Sequence, residues 1–276
     1  MSDRRMSRTA FGTAYMRAAH LLLDAPPHVL DDAVVIRLLG PEAIEKITAD
    51  TDMYQTPERR ALRAHVVLRT RFAEDRLAMA VQRGVSYYVI LGAGLDTFAY
   101  RQPAWANKVE IVEVDHPGTQ NVKKELLRRA GIPVPRNLAF APVDFEHETL
   151  GDGLLRHGVS AERKAFFSWL GVTMYLEERA IDSVLRTIAG YPVGSEVVLT
   201  FARSDGPPSP FESRAAEMGE KWISFFTPET MEARLRATGF SGIQFLQAKE
   251  AEQKYFRDST SRLYLSSRTT IVAAQV

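Results

Sequence analysis

The sequence predicts an α/β fold in which a mostly parallel β-sheet carries helices on both faces. From Tyr87 onward, apolar runs of strand length alternate with helical patterns, and this alternation is typical of parallel sheets. The run Glu196–Phe201 is apolar at nearly every position, as expected for a strand that is covered on both sides. With 276 residues, 45% of them apolar, the chain can bury a full core as one large domain.

The first 83 residues are predicted to form a helical cap that ends in a lead-in helix. Helical patterns cover residues 7–40, with a break at 24–28 that contains two prolines. A long amphipathic pattern over 57–83 begins with Pro57, which suits a first helical turn. Part of this helix is expected to be a solvated charged face, carrying Arg59, Arg60 and Arg63.

Seven apolar runs predict the strands, at residues 87–91, 109–114, 138–143, 165–170, 195–202, 242–247 and 269–275. Helical patterns at 117–130, 177–190 and 228–238 separate most of them. The last two strands have no clear helix between them, so we expect a hairpin that makes one strand antiparallel. Five parallel strands followed by such a pair are typical of class I methyltransferases, which bind S-adenosylmethionine (SAM). We therefore expect a seven-stranded Rossmann-like sheet in the order 3-2-1-4-5-7-6, with the last-numbered strand antiparallel.

This organisation predicts a single domain over residues 1–276. Residues 84–276 would be its core, and residues 204–226 a lid insertion after the fifth strand. The insertion starts with the irregular segment Gly206–Pro210 and ends with the aromatic segment Trp222–Phe226. Such aromatics suit a flat or apolar ligand, and they equally suit packing of the cap onto the sheet.

A buried strand that runs into a glycine turn indicates a nucleotide site. Strand 87–91 leads into Gly92-Ala93-Gly94, and the next strand ends in Asp115. The glycines let a ligand approach the backbone, and the carboxylate can accept both hydroxyls of a ribose. A nicotinamide-dependent oxidoreductase would share these features, but Thr97 stands where its third glycine or alanine is expected, and the end of the sheet differs.

Four motifs in order resemble the leucine carboxyl methyltransferase family: Leu91–Thr97, Glu113–Pro117, Val143-Asp144 and Trp169–Leu176. The match spans roughly residues 7–200 and is nearest to the bacterial branch of small-molecule O-methyltransferases. The resemblance implies SAM-dependent methyl transfer to an oxygen of a small-molecule acceptor, with a carboxylate preferred over a phenol. One departure is Leu170, where the family often has a glutamate, so a noncatalytic SAM-binding protein stays open as an alternative.

The resemblance also implies which residues bind SAM. The turn Gly92-Ala93-Gly94 would contact its amino-acid tail and ribose. Asp115, or else Glu113, would bind the ribose hydroxyls.

For the other two parts of SAM, the resemblance points to an acid and to an arginine. Asp144 would contact the adenine amino group, and Phe145 would line the adenine ring. Arg69, or else Arg71, would hold the carboxylate of the tail, since a guanidinium meets a carboxylate with two hydrogen bonds.

The catalytic groups are expected to be few. A carboxylate acceptor is ionised at neutral pH and needs no base, so catalysis would rest on proximity, orientation and exclusion of water. Tyr175 is the candidate polar group near the transferred methyl, and Arg203 is a candidate for holding a substrate carboxylate. The chain has no cysteine and its six histidines show no ligand spacing, so we expect no metal.

Charge and hydropathy exclude several classes of partner. The net charge of +1 favours neither nucleic acid nor an anionic membrane. No apolar run approaches the roughly 18 residues that would span a bilayer. The polar start, residues 1–5, lacks the apolar segment of a signal peptide, so we expect a cytoplasmic protein.

Overall fold

The computed structural model describes residues 7–145, 147–206, 210–217, 219–257, 263 and 269–276. The polar start at residues 1–5 lies outside the described residues. So do residues 207–209, which belong to the irregular segment at the start of the predicted lid insertion.

The sheet has the predicted seven strands: β1 Tyr87–Leu91, β2 Glu110–Asp115, β3 Leu138–Pro142, β4 Ala165–Trp169, β5 Glu196–Ala202, β6 Ser241–Phe245 and β7 Thr269–Gln275. Their order is β3-β2-β1-β4-β5-β7-β6. The pairs among the first five strands are parallel, whereas β7 runs antiparallel to both β5 and β6. The predicted order and the antiparallel last strand are therefore confirmed, and the end of the sheet differs from that of a dinucleotide-binding domain.

Five helices precede the sheet: α1 Arg8–Leu23, α2 Ala33–Leu39, α3 Pro41–Ala49, α4 Thr51–Tyr54 and α5 Pro57–Gln82. The predicted break after α1 and the long helix that starts at Pro57 are both present. The helices α3 and α4 were not predicted. At nine and four residues they are too short to show a clear helical periodicity, and packing onto the neighbouring helices stabilises them.

Among the described residues of the core there are six further α-helices: α6 Pro117–Arg129, α7 Leu150–Arg156, α8 Glu178–Ala189, α9 Pro210–Glu217, α10 Pro228–Thr238 and α11 Ala248–Ala251. The predictions of α6, α8 and α10 are confirmed. The prediction that no helix separates the last two strands was wrong, because α11 and the turn Glu252–Phe256 lie between them. Buried Ala251 and Phe256 hold this short segment on the core.

Apolar side chains cover the sheet on both faces, as predicted. On one face α8 and α10 pack through residues such as Leu185 and Leu235. On the other face α5 packs through residues such as Leu68 and Phe72. A third apolar cluster joins α1 and α2 to α6. Because α5 lies against the sheet along its length, its side chains near residue 69 reach the carboxyl ends of the strands.

A buried ionic network ties the helical cap to α5. The Arg63 guanidinium is 0% exposed. It donates through Nη2 and Nε to the two carboxylate oxygens of Asp24, each at 2.7 Å, and through Nη1 to the Tyr54 carbonyl at 2.8 Å. Asp24 also contacts Nδ1 of His20, at 2.8 Å, while Nε2 of His20 accepts the Val29 N–H. The expectation of a solvated face was therefore wrong for Arg63.

Burial alone would raise the pKa of Asp24, but the bonds from His20 and Arg63 hold it below its ordinary value. The network is thus charged and fully hydrogen-bonded around neutral pH. Among the described residues, no helix has both the length and the apolarity needed to cross a membrane.

Candidate active site

A cavity of about 900 Å³ opens at the carboxyl ends of β1, β2 and β4. The chain leaves β1 toward β2 on one side and reaches β4 on the other, and ligands of open α/β sheets bind at such a switch point. The lining includes Leu91, Asp115 and Ser168 at the three strand ends. Its size lies toward the upper end of small-molecule sites, which span roughly 300–1,000 Å³, so it has room for two ligands side by side.

The glycine turn after β1 forms the floor of the cavity. The N–H groups of Gly92 and Ala93 donate to the Val114 carbonyl at 2.9 and 3.1 Å, which fixes the turn against β2. Gly92 has a φ of +65°, and a Cβ there would lie 2.3 Å from Cγ2 of Val172. The absence of a side chain at Gly92 is therefore required first by the fold itself.

Asp115 lies at the end of β2 with its carboxylate in the lining. One oxygen accepts the Gly94 N–H at 2.5 Å and the other accepts the His116 N–H at 2.7 Å. Burial raises the pKa of the Asp115 carboxyl, and the two backbone bonds oppose this rise. Each oxygen of a carboxylate can accept a second hydrogen bond, so this group is positioned and still able to bind hydroxyls.

Glu113, the second sequence candidate for the ribose, does not line the cavity. Its side chain is fully buried, and Oε2 lies 2.6 Å from Nζ of Lys123 on α6. Burial raises its pKa to about 7, although the Lys123 charge opposes the rise. Glu113 lies two residues before the end of β2, and its side chain contacts α6 instead of the cavity.

The loop after β3 places Asp144 and Phe145 in the lining. Oδ2 of Asp144 lies 2.9 Å from Nδ1 of His147 and 3.7 Å from Nε2 of His116. Phe145 packs against the apolar cluster beneath the sheet. This loop therefore gives the cavity a carboxylate beside an aromatic ring, on the β2–β3 side of the glycine turn.

Arg69 enters the cavity from α5, and its guanidinium packs against Gly171. A Cβ on Gly171, which has a φ of +76°, would lie 2.6 Å from Nη1 of Arg69, so only glycine leaves room for this guanidinium. No carboxylate of the described residues lies within 4.0 Å of it, and it makes no hydrogen bond to them. Arg71, the sequence alternative, lies outside the lining and pairs with Asp75 at 2.8 Å.

Burial lowers the pKa of Arg69 to about 10; the Arg17 charge adds to this, and Tyr175 and Asp96 oppose it. The guanidinium therefore stays charged at neutral pH without a partner from the fold. A partly buried guanidinium that is charged and has no partner among the described residues can bind an anion.

The cavity is covered by what we call the roof, formed by residues 7–9, 217 and 219–221. Here the Glu220 carboxylate accepts hydrogen bonds from the Ser7 hydroxyl at 3.0 Å and from the N–H groups of Arg8 and Thr9 at 2.7 and 3.1 Å. These bonds fasten the start of α1 to the end of the lid insertion. Sequence reasoning missed this contact, because a single acid within an insertion carries no local signal.

Tyr175, the sequence candidate for the methyl end, lines the cavity, and burial raises the pKa of its hydroxyl. Arg203, the other catalytic candidate, does not line it. Its guanidinium forms an ion pair with Asp205 at 2.6 Å, and its backbone pairs with Phe226. Leu170 does line the cavity and presents an apolar side chain there.

Within the ranges that the structure describes, no three histidine or acidic side chains are grouped as a metal site requires. Asp96 is a further acid of the lining that sequence reasoning did not select. Its only signal was its position in the motif after the glycine turn.

Comparison with known proteins shows which family this chain is similar to. The chain matches the family model described as leucine carboxyl methyltransferase over residues 10–189. A Bacillus subtilis (strain 168) protein, “Putative S-adenosyl-L-methionine-dependent methyltransferase YktD”, is 33% identical over 232 residues, which cover 81% of this chain and 73% of the relative. A Mycobacterium marinum protein with the same description, apart from the gene name, is 29% identical over 221 residues, which cover 76% and 72%.

Two solved structures share the fold. The “putative methyltransferase” of Thermobifida fusca YX has a TM-score of 0.58 at 18% identity and covers 96% of this chain and 97% of its own. A DUF574 family protein of Streptomyces avermitilis has a TM-score of 0.57 at 13% identity, with coverage of 94% and 96%. The sequence matches confirm the resemblance read from the motifs.

Proposed function

Because the chain belongs to the leucine carboxyl methyltransferase family and is a SAM-dependent methyltransferase, we propose that it transfers the methyl group to a carboxylate oxygen of a small molecule. The observation that carries this proposal is the chemistry of the cavity end near Tyr175. The described lining residues at this end include no histidine, and the Tyr175 hydroxyl there is a hydrogen-bond donor.

The residues of the cavity fit SAM part by part. The unpaired guanidinium of Arg69 suits the carboxylate of the tail, and the spare acceptor sites of Asp115 suit the ribose hydroxyls. Asp144 would accept from the adenine amino group, with Phe145 against the ring. These roles rest on position in the lining and on the chemistry of each group.

Asp115 and Asp144 lie on the β2–β3 side of the glycine turn, so the acceptor would bind on the other side, between Leu170, Tyr175 and the roof. The histidine of the lining, His116, lies beside Asp144 and is therefore at the wrong end to serve as a base for the acceptor. The roof contains two acids: Glu220 is already held by three donors, and Glu217 is exposed on the final turn of α9. A carboxylate is a weak base for a phenol, whose pKa is about 10, so this end of the cavity suits an acceptor that is already ionised.

When bound, SAM supplies a methyl group on a positively charged sulfur. The chain's own contribution is to orient the acceptor and to exclude water. Burial keeps the Tyr175 hydroxyl protonated, so it can donate to one oxygen of a carboxylate while the other oxygen faces the methyl. The roof covers both ligands and limits access of water.

The test is to incubate the protein with SAM carrying a deuterated methyl group and two matched panels, one of carboxylic acids and one of phenols. Methyl esters release deuterated methanol in mild alkali, whereas aryl ethers do not, so the label identifies the acceptor oxygen. We expect alkali-labile products and an equal amount of S-adenosylhomocysteine. Stable ethers would contradict a carboxylate acceptor, and binding of SAM without product from either panel or from a metabolite extract would indicate a noncatalytic protein.

A further inference from the structure

The acids that line the cavity differ in what already binds them. Asp115 accepts two backbone N–H groups, Asp144 lies beside two histidines, and Glu220 is held by three donors in the roof. Glu217 is exposed on the final turn of α9. The remaining lining carboxylate is that of Asp96, which lies two residues after the glycine turn and has no ion-pair partner among the described residues.

Asp96 is held in place by the backbone and still has a free side. Its own N–H donates to the Ala93 carbonyl at 2.7 Å, and its Oδ1 accepts the Phe98 N–H at 2.8 Å. No hydrogen bond from a described residue engages Oδ2. The carboxylate is therefore oriented, and one oxygen can accept from a ligand.

The tail of SAM carries two opposite charges on one carbon, an ammonium and a carboxylate. A site that offers only Arg69 would satisfy the carboxylate and leave the ammonium desolvated without a partner. The charge of Asp96 acts on Arg69 across the cavity, as its effect on the pKa of that guanidinium shows, yet the two do not form an ion pair. Leu170, which also lines the cavity, supplies no charge.

We propose that Asp96 binds the ammonium group of SAM through its free Oδ2, opposite Arg69, which holds the carboxylate. The proposal rests on the proposed placement of the tail at Arg69. The backbone carbonyls of the glycine turn supply the ammonium's remaining acceptors. Asp96 and Arg69 then form a pair of opposite charges that is completed only by a zwitterionic ligand, so the site selects amino-acid-bearing nucleosides over others.

The test uses four nucleosides with the full-length protein in titration calorimetry. S-adenosylhomocysteine has both charged groups, its decarboxylated analogue has only the amine, its deaminated analogue has only the carboxylate, and 5′-methylthioadenosine has neither. Asp96→Asn keeps an oxygen for the Phe98 N–H, so the turn is preserved. We expect it to weaken S-adenosylhomocysteine and the amine-only analogue about tenfold or more, and to leave the other two ligands within about twofold.

Two controls separate the possible causes. Glu162→Gln removes an equal charge from an exposed position outside the cavity and should change no affinity by more than about twofold. The wild-type protein should itself bind the amine-only analogue about tenfold more tightly than 5′-methylthioadenosine, a comparison that needs no variant. Equal weakening of all four ligands by Asp96→Asn, or weakening of none, would overturn the role of Asp96.

The proposed placement of the tail is tested separately by Arg69→Met. This variant should weaken only the two ligands that keep the carboxylate. If Arg69→Met lacks this pattern while Asp96→Asn shows its own, the position of the carboxylate is wrong and the ammonium site stands. The opposite result would retain the proposed function and remove the inference about Asp96.

Discussion

Arg63 and Arg69 lie six residues apart on the same helix, and the fold treats them in opposite ways. Arg63 is completely buried, and its guanidinium donates to Asp24 and to the Tyr54 carbonyl. Arg69 faces the cavity and makes no hydrogen bond or ion pair to the described residues. A buried cation whose bonds are complete stabilises the fold, whereas one that the fold leaves without partners is available to a ligand.

The largest effect should come from replacing Arg63, the arginine whose hydrogen bonds are made within the fold. Arg63→Met leaves the Asp24 carboxylate buried without its main partner, and removing one side of a buried ion pair costs about 3–5 kcal/mol. We expect a loss of that size in the free energy of unfolding at pH 7, measured by urea denaturation. Binding of S-adenosylhomocysteine to the remaining folded protein should be unchanged.

Arg71→Met is the matched control for this experiment. Arg71 is on the same helix, its side chain is 46% exposed, and its partner is Asp75. Exposed ion pairs contribute about 0–1 kcal/mol, so the control should lose no more than that. If Arg63→Met behaves like Arg71→Met, the buried network does not stabilise the cap and the contrast with Arg69 disappears.

The second effect is smaller and appears in binding. Arg69→Met should weaken S-adenosylhomocysteine by about 1.5–3 kcal/mol, the range for hydrogen bonds to a charged group. Its free energy of unfolding should stay level or rise, because the variant removes a partly desolvated charge that has no partner. Calorimetry measures the affinity and urea denaturation the free energy of unfolding, both on the same sample. A loss of stability with unchanged affinity would mean that Arg69 serves the fold and not the ligand.

The sequence predicted the sheet more accurately than the site. The strands follow from local apolar runs, and β2 at residues 110–115 differs by one residue from its predicted range. Arg63 could not be placed in this way, because its partner Asp24 lies 39 residues earlier in the chain. Burial of a charge depends on such distant partners, which periodicity does not encode.

Among the candidate site residues, the structure brings those at strand ends and turns together. Arg71 lies about 200° around the helix axis from Arg69, at about 100° per residue, so helical geometry alone could have separated the two. Glu113 reaches Lys123 on α6, a contact that depends on how that helix packs. Arg203 binds Asp205 two residues later, a local acid that the sequence already displayed.

Glu220 shares one feature with each arginine. Like Arg63 it is hydrogen-bonded within the fold, and like Arg69 it lines the cavity. Glu220→Gln keeps one acceptor oxygen but weakens the hold on the start of α1. We expect a loss of about 0.5–1.5 kcal/mol, the usual worth of a hydrogen bond, in the binding of S-adenosylhomocysteine. Hydrogen exchange of residues 8–13 should become faster. Glu217→Gln, three residues away, should change neither quantity.

The smallest effect that we expect concerns pH, because the rate of methyl transfer should not depend on it. A carboxylate acceptor has a pKa of about 4, and Tyr175, the group proposed to face it, stays protonated through neutral pH, as does Arg69 at the proposed SAM tail. The single-turnover rate of methyl transfer should therefore be flat between roughly pH 6 and pH 9, and EDTA should not change it.

A phenolic acceptor, with a pKa of about 10, would show a rate that rises with pH. Rapid-quench measurements across this range would distinguish the two acceptors. A rate that rises with pH would mean that a group in the cavity acts as a base, a role that the proposal gives to none of the lining residues.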